Sequence, residues 1–249
     1  MIVEVKGVSK TYDNGVEALR EVNLAFPKGQ LSTLLGPSGC GKTTLLKIIA
    51  GLIPRNGGEI LVKGKPVEGP GPERAFVFQD FALLPWADVL RNVAFGLELR
   101  GVAREEREQV ARRYIEEVGL KGFEHRHPAQ LSGGMRQRVG LARALTVDAD
   151  IILMDEPFSS VDEQTRRKFQ EDLLDLLRHH QKTVIFVTHS IEEAAYLSDQ
   201  IALLSPRPGT ISKIVRPAVD RSKTPDEIRR DRGYLDTVEE IWQMLRQYV

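Results

Sequence analysis

Two stretches of this chain are composed to hold anions. The first, GPSGCGKT at Gly36–Thr43, lies between a short apolar run and a stretch of helical pattern, the context in which that spacing makes a phosphate loop. Glycines let the backbone curl, so that successive N–H groups across Gly36, Ser38, Gly39, Cys40 and Gly41 can face a phosphate while a helix N-terminus adds its partial positive charge. Lys42 is then placed to reach the β- and γ-phosphates, Thr43 to coordinate Mg2+, and Thr44 to donate to the α-phosphate. The second stretch, LSGGMRQR at Leu131–Arg138, again combines a serine with glycines. Why one chain carries both grips is the question the sequence raises.

Carboxylates come next. The run IILMDE ends on Asp155 and Glu156, and adjacent strand residues point to opposite sides, so the pair is expected to divide its work. Asp155 is assigned to the Mg2+ shell and Glu156 to an attacking water, although acidic residues at a strand end can also be merely solvated. His189 follows the run TVIFVT and could meet the γ-phosphate from a third side; a lone histidine there is also commonly structural. Cys40 is the only cysteine, which excludes an internal disulfide and fits a reducing compartment. It is read as a small residue filling a tight loop rather than as a redox group.

These residues need a frame. MIVEVKGV tends to alternate, as do Val22, Leu24 and Phe26, so the first residues are expected to form half-buried strands. Short apolar runs follow at LSTLL, EILV, AFVF, IILM, TVIFV and QIALL, the pattern of buried parallel strands in an α/β core. A helix is predicted over Lys42 to Ala50 with Gly51 as its stop, and another on Val110, Tyr114 and Val118 ending at Gly119. Phe169, Leu173, Leu176 and Leu177 mark a third. The stretch from about Asp80 lacks a convincing strand, and a helical subdomain is assigned to 80–138 within one domain covering 1–249. A helical extension is assigned to 217–249: Thr224, Pro225 and Glu227 make a helix start, and Leu235, Val238, Trp242 and Leu245 make an apolar stripe. Thirty-five basic residues balance thirty-five acidic ones, so no overall field draws the chain to nucleic acid. The start lacks the apolar core of a secretory signal, and no run of about 18 apolar residues could span a bilayer. A cytosolic chain is expected.

The ordered set Tyr12, GPSGCGKT, Gln79, LSGGM, IILMDE, SSVD and THS resembles the ATP-binding subunit of an ABC transporter, over nearly the whole chain. The resemblance implies a phosphate-loop NTPase core of the ABC ATPase type, an α/β fold with an antiparallel β subdomain and a helical insert. It also implies ATP and Mg2+ as cofactors. In that family two copies face head to tail, and each ATP lies between the phosphate loop of one copy and the LSGG element of the other; the two grips then serve different nucleotides. On this resemblance Ser132 and the backbone of Gly133 and Gly134 grip a γ-phosphate. Tyr12 stacks on adenine, Gln79 senses Mg2+ and the γ-phosphate, and Asp162 acts across the homodimer. Three departures stand out: the common LSGGQ is LSGGM here, SALD is SSVD, and THD is THS. Met135 puts only the contact of that one side chain in doubt.

Transport is the expected function, through a separate integral membrane permease that holds the subunit peripherally on the cytoplasmic face of the membrane. A DNA-repair or chromosome-clamping ATPase is the alternative, but such clamps insert a long coiled coil between phosphate loop and signature, and sustained heptads are missing here. A small-molecule phosphoryl-transfer enzyme would have no use for LSGG. The apolar residues Phe81, Leu84 and Trp86 are assigned to a groove receiving a permease helix. GPERAFVFQDFALLPW, NVAFGLELRG and LLSPRPGTI resemble importers of nitrate, sulfonates, taurine and related small anions, which implies an extracytoplasmic solute-binding protein acting through the permease.

Overall fold

The structure is a computed structural model describing residues 1–159 and 163–248. They form two compact units, one of Met1–Gly71 together with the chain from Lys182 onward, the other of Pro72–Gln181.

The first unit opens with β1 (Val3–Thr11), β2 (Glu17–Phe26), β3 (Leu31–Leu35), α1 (Lys42–Ala50), β4 (Gly57–Val62) and β5 (Lys65–Pro66). An antiparallel sheet runs in the order β2-β1-β4-β5, with Val5 opposite Leu24 on one side and Ile60 on the other. Val3, Val5 and Val8 of β1 and Val22, Leu24 and Phe26 of β2 are buried, the alternation expected of a sheet with one face on a core. β3 differs, being buried along its whole length. α1 turns Leu45, Leu46, Ile48 and Ile49 inward and stops at Gly51, whose φ is 76°.

The second unit contains β6 (Arg74–Val77), α2 (Val89–Leu99), α3 (Arg104–Glu117), α4 (Gly133–Thr146), β7 (Ile151–Asp155) and α5 (Glu163–His179). β6 and β7 are parallel, with Val77 level with Met154. Among the described residues no strand interrupts the helices between those two. Asp88 caps α2 by accepting from the Arg91 N–H at 2.9 Å. α2, α3 and α4 pack on one another, with Tyr114 and Val118 buried and Gly119 marking the end of α3 at φ 73°. α5 buries Phe169, Leu173 and Leu177.

The chain returns to the first unit as β8 (Thr183–Thr188), α6 (Ile191–Leu197), β9 (Gln200–Leu204), β10 (Ile211–Val215), α7 (Pro225–Arg230) and α8 (Arg232–Arg246). β3 lies parallel between β8 and β9, and β10 runs antiparallel on β9. All three parallel strands are buried throughout, which is why they read as mostly apolar runs, with Ser32, Thr33 and Gln200 among the buried polar exceptions. Thr224 and Glu227 form the expected capping box of α7. The apolar stripe of the last helix is corrected at two of its four positions: Leu245 packs on the core and Val238 is half-buried, but Leu235 and Trp242 are not part of the packed face. α8 buries Tyr234, Thr237 and Ile241, while Leu235 and Trp242 are exposed. The reason is that Ile241 enters a core with Leu35, Ala194, Ile201, Leu203 and Val215, and the Thr237 hydroxyl satisfies itself on the Gly233 carbonyl at 2.7 Å. No helix among the described residues is long and apolar enough to cross a membrane.

Candidate functional site

In the first unit, strand register brings the phosphate loop and His189 to one edge. β3 and β8 are paired so that Leu35 is level with Thr188, and the residues that follow, Gly36 and His189, therefore leave the sheet side by side. Lys42 is buried, and its ammonium donates to the carbonyl oxygens of Gly36 at 2.7 Å and Pro37 at 3.0 Å, so the cation itself holds the loop curled. Gly41 precedes α1 with φ 103°, a backbone setting open to glycine, and a Cβ there would lie 2.7 Å from the Ala18 carbonyl oxygen. No side chain caps α1 and no acidic residue stands in its first turn, so nothing from the helix itself offsets the positive end of its dipole. Ser38 and Gly39 lie exposed at the loop. Cys40 is fully buried, and burial raises its thiol pKa against the opposing pull of Lys42. A protonated, buried thiol fits the loop-filling reading.

His189 is exposed on a turn fixed from both sides: the Thr188 hydroxyl donates to the Glu193 carboxylate, and Ser190 caps α6 by accepting from the Glu193 N–H at 3.2 Å. Serine thus replaces aspartate in THS without losing the cap. Tyr12, at the end of β1, is 38% exposed, and its hydroxyl lies 3.0 Å from the Thr44 hydroxyl.

In the second unit the parallel pair does the same for the carboxylates. With Val77 level with Met154, Gln79 and the Asp155–Glu156 step leave the same edge. Strand alternation does not separate the two acids, contrary to the sequence expectation: β7 ends at Asp155, which is buried, and Glu156 lies beyond it. Glu156 has φ 46°, a left-handed setting that costs a non-glycine residue roughly 1–3 kcal/mol. The turn is held by Ser159, whose N–H and hydroxyl both donate to the Glu156 carbonyl oxygen, at 3.2 and 3.0 Å. Gln79 is exposed in a loop in which Phe81 and Ala82 have φ 62° and 41°. Arg143 of α4 donates to the carbonyls of both, at 2.6 and 2.7 Å, and burial pulls its guanidinium below the usual value. Sequence reasoning missed Arg143, because nothing in its spacing marks it.

The LSGG element forms the start of α4. Ser132 is the N-cap, accepting from the Met135 N–H at 3.3 Å, and Gly133 and Gly134 fill the first turn. As an acceptor toward its own helix, the exposed Ser132 hydroxyl keeps its proton for an outward bond. The first turn of α4 contains no acidic residue. Both expected anion grips are therefore helix starts, one in each unit.

Phe81 is corrected as a docking residue. It is 7% exposed, has a left-handed backbone and packs at Gly140. Leu84 is half-buried, whereas Trp86 is 71% exposed at the rim of a cavity of about 670 Å3 lined also by Leu90, Arg91, Ala94, Glu98 and Arg107. Asp162 lies outside the described residues.

A family model described as ABC transporter matches residues 19–159. An ABC transporter ATP-binding protein of Methanocaldococcus jannaschii is 46% identical over 250 residues, covering 99% of this chain and 92% of that protein. The taurine import ATP-binding protein TauB of Pseudomonas syringae is 47% identical, covering 96% and 94%. Among solved structures, the dimeric ATP-binding cassette MJ0796 in a post-hydrolysis state with ADP and Pi is 33% identical with a TM-score of 0.77, covering 86% of this chain and 98% of that one.

Proposed function

Since the chain belongs to the ABC transporter family and is an ATPase, we propose that it is the ATP-hydrolysing subunit of an importer, energising uptake of a small anion such as nitrate, a sulfonate or taurine through a separate permease. The observation that carries the reading is the presence in one chain of two glycine-bearing helix starts without an acidic residue in the first turn, Gly36–Thr44 at α1 and Ser132–Gly134 at α4. Two copies arranged head to tail would place the second grip of one copy on the nucleotide held by the first grip of the other, and MJ0796 is a relative solved as a dimer.

In this mechanism Lys42 and the loop N–H groups hold the β- and γ-phosphates, Thr44 the α-phosphate, and Tyr12 the adenine. The Thr43 hydroxyl and the Asp155 carboxylate are hard oxygen donors of the kind Mg2+ takes, and Gln79 adds a third. Bound there, Mg2+ supplies charge neutralisation of the triphosphate. Glu156 accepts the proton of a water as that water's oxygen attacks the γ-phosphorus and the bond to the bridging oxygen breaks. His189 positions the γ-phosphate, and Ser132 with the Gly133 and Gly134 backbone stabilises it from the facing copy. Asp162 is assigned to the same dimer contact on its sequence motif alone.

The anion branch is supported by the taurine importer relatives. Exposed Trp86 and its cavity are the proposed seat of a permease helix, which would hold the subunit on the cytoplasmic face of the membrane, with a solute-binding protein delivering to the far side. Reconstitution with a candidate permease tests the proposal: ATP-driven uptake of labelled nitrate, sulfonate or taurine is expected, abolished by Glu156→Gln. An ATPase that joins no permease would favour a DNA-repair or chromosome-clamp role instead.

A further inference from the structure

Tyr12 is fixed more firmly than a stacking platform requires. Its N–H donates to the Val16 carbonyl and its carbonyl accepts from the Gly15 N–H, both at 2.9 Å, which pins the backbone in a turn. The ammonium of Lys10, a residue only 8% exposed, lies 5.4 Å from the ring centroid, within cation–π reach. The hydroxyl reaches the Thr44 hydroxyl at 3.0 Å, in the first turn of α1. Stacking uses a ring face alone; phenylalanine would serve it as well.

We propose that the Tyr12 hydroxyl is a positioning group for the phosphate grip, setting the direction of the Thr44 hydroxyl. A threonine hydroxyl has one proton and two acceptor sites. If Thr44 donates to Tyr12, its proton points away from any phosphate. If Tyr12 donates to Thr44, the Thr44 proton is released for a phosphate oxygen, and the two bonds in series polarise each other. An anion in the cradle selects the second arrangement. The base platform and the phosphate grip are then joined through one hydrogen-bond chain, and the grip depends on Tyr12 even for a ligand that has no base.

The proposal rests on the reading of Gly36–Thr44 as a nucleotide cradle, and tripolyphosphate separates the two. With the full chain and Mg2+, the affinity of inorganic tripolyphosphate, measured by competition against ATP, should fall about threefold to tenfold in Tyr12→Phe, the scale of one net hydrogen bond. In a Thr44→Val background Tyr12→Phe should change it by less than about twofold, because the hydroxyl then has nothing to orient. A tripolyphosphate affinity unchanged by Tyr12→Phe overturns the proposal, as does an equal loss in both backgrounds. So does a wild-type chain that binds ATP but is not competed by tripolyphosphate. A wild-type chain that binds no ATP would instead overturn the cradle reading beneath it.

Discussion

The Lys42 ammonium donates to the Gly36 carbonyl oxygen at 2.7 Å, so the cation proposed for phosphate binding also closes the loop that would bind it. Lys42→Ala removes both functions. Nucleotide affinity should drop about 10-fold to 100-fold, the loss of one charge-assisted contact. Equilibrium titration with a non-hydrolysable ATP analogue measures it, and an unchanged affinity would mean that the loop is not the site.

Glu156→Gln keeps the size of the side chain and its hydrogen bonding while removing its charge. Because the left-handed turn is held by Ser159 through the backbone, its geometry should survive. ATP should still bind while steady-state turnover falls by about 10²-fold or more, the scale of general-base catalysis. Near-normal turnover would remove Glu156 from that role.

Gly209 packs its backbone against the phosphate loop, and a Cβ there would lie 2.1 Å from the Cys40 carbonyl oxygen. Its own N–H and carbonyl are both engaged on β2, at Ala18 and Arg20, so it cannot easily retreat. Gly209→Ala should therefore cost about 1–3 kcal/mol in urea unfolding and weaken ATP binding together. Loss of neither would show that the contact relaxes freely.

The phosphate loop and its helix were legible because Gly41, Lys42 and Gly51 each have a local reason for their place. So were the buried strands, since continuous burial leaves mostly apolar runs at Leu31–Leu35 and Thr183–Thr188. What was not legible depends on partners distant in sequence. The handedness of Glu156 and Phe81 has no signal in residue type, and Arg143 matters only through the carbonyls it meets. β10 is mostly exposed and α6 is too short to display a period. The face of α8 was misread at Leu235 and Trp242, though not at Leu245, because Thr237, a polar residue, occupies the buried side.

That last difference is measurable. Ile241→Ala should destabilise the chain by about 2–5 kcal/mol through the cavity left among Leu35, Ala194 and Leu203. Trp242→Ala, on the exposed side and contacted by Arg246, should cost under about 1 kcal/mol. The reverse ranking in urea unfolding would restore the Leu235–Trp242 stripe as the packed face.

The central claim is that the two grips act on different nucleotides, and mixed dimers test it most directly. Lys42→Ala damages one grip, and Ser132→Glu damages the other by setting a carboxylate against the γ-phosphate; all copies also carry Glu156→Gln so that bound ATP is retained. If the grips meet across the dimer, each parent homodimer has a lesion in both sites, whereas in the mixed dimer both lesions fall in one site and the other is intact. Differently tagged, purified mixed dimers should then trap clearly more ATP than either parent. Mixed dimers that trap no more than the parents would contradict the claim, because a chain that used its own LSGG would carry a lesion into every site.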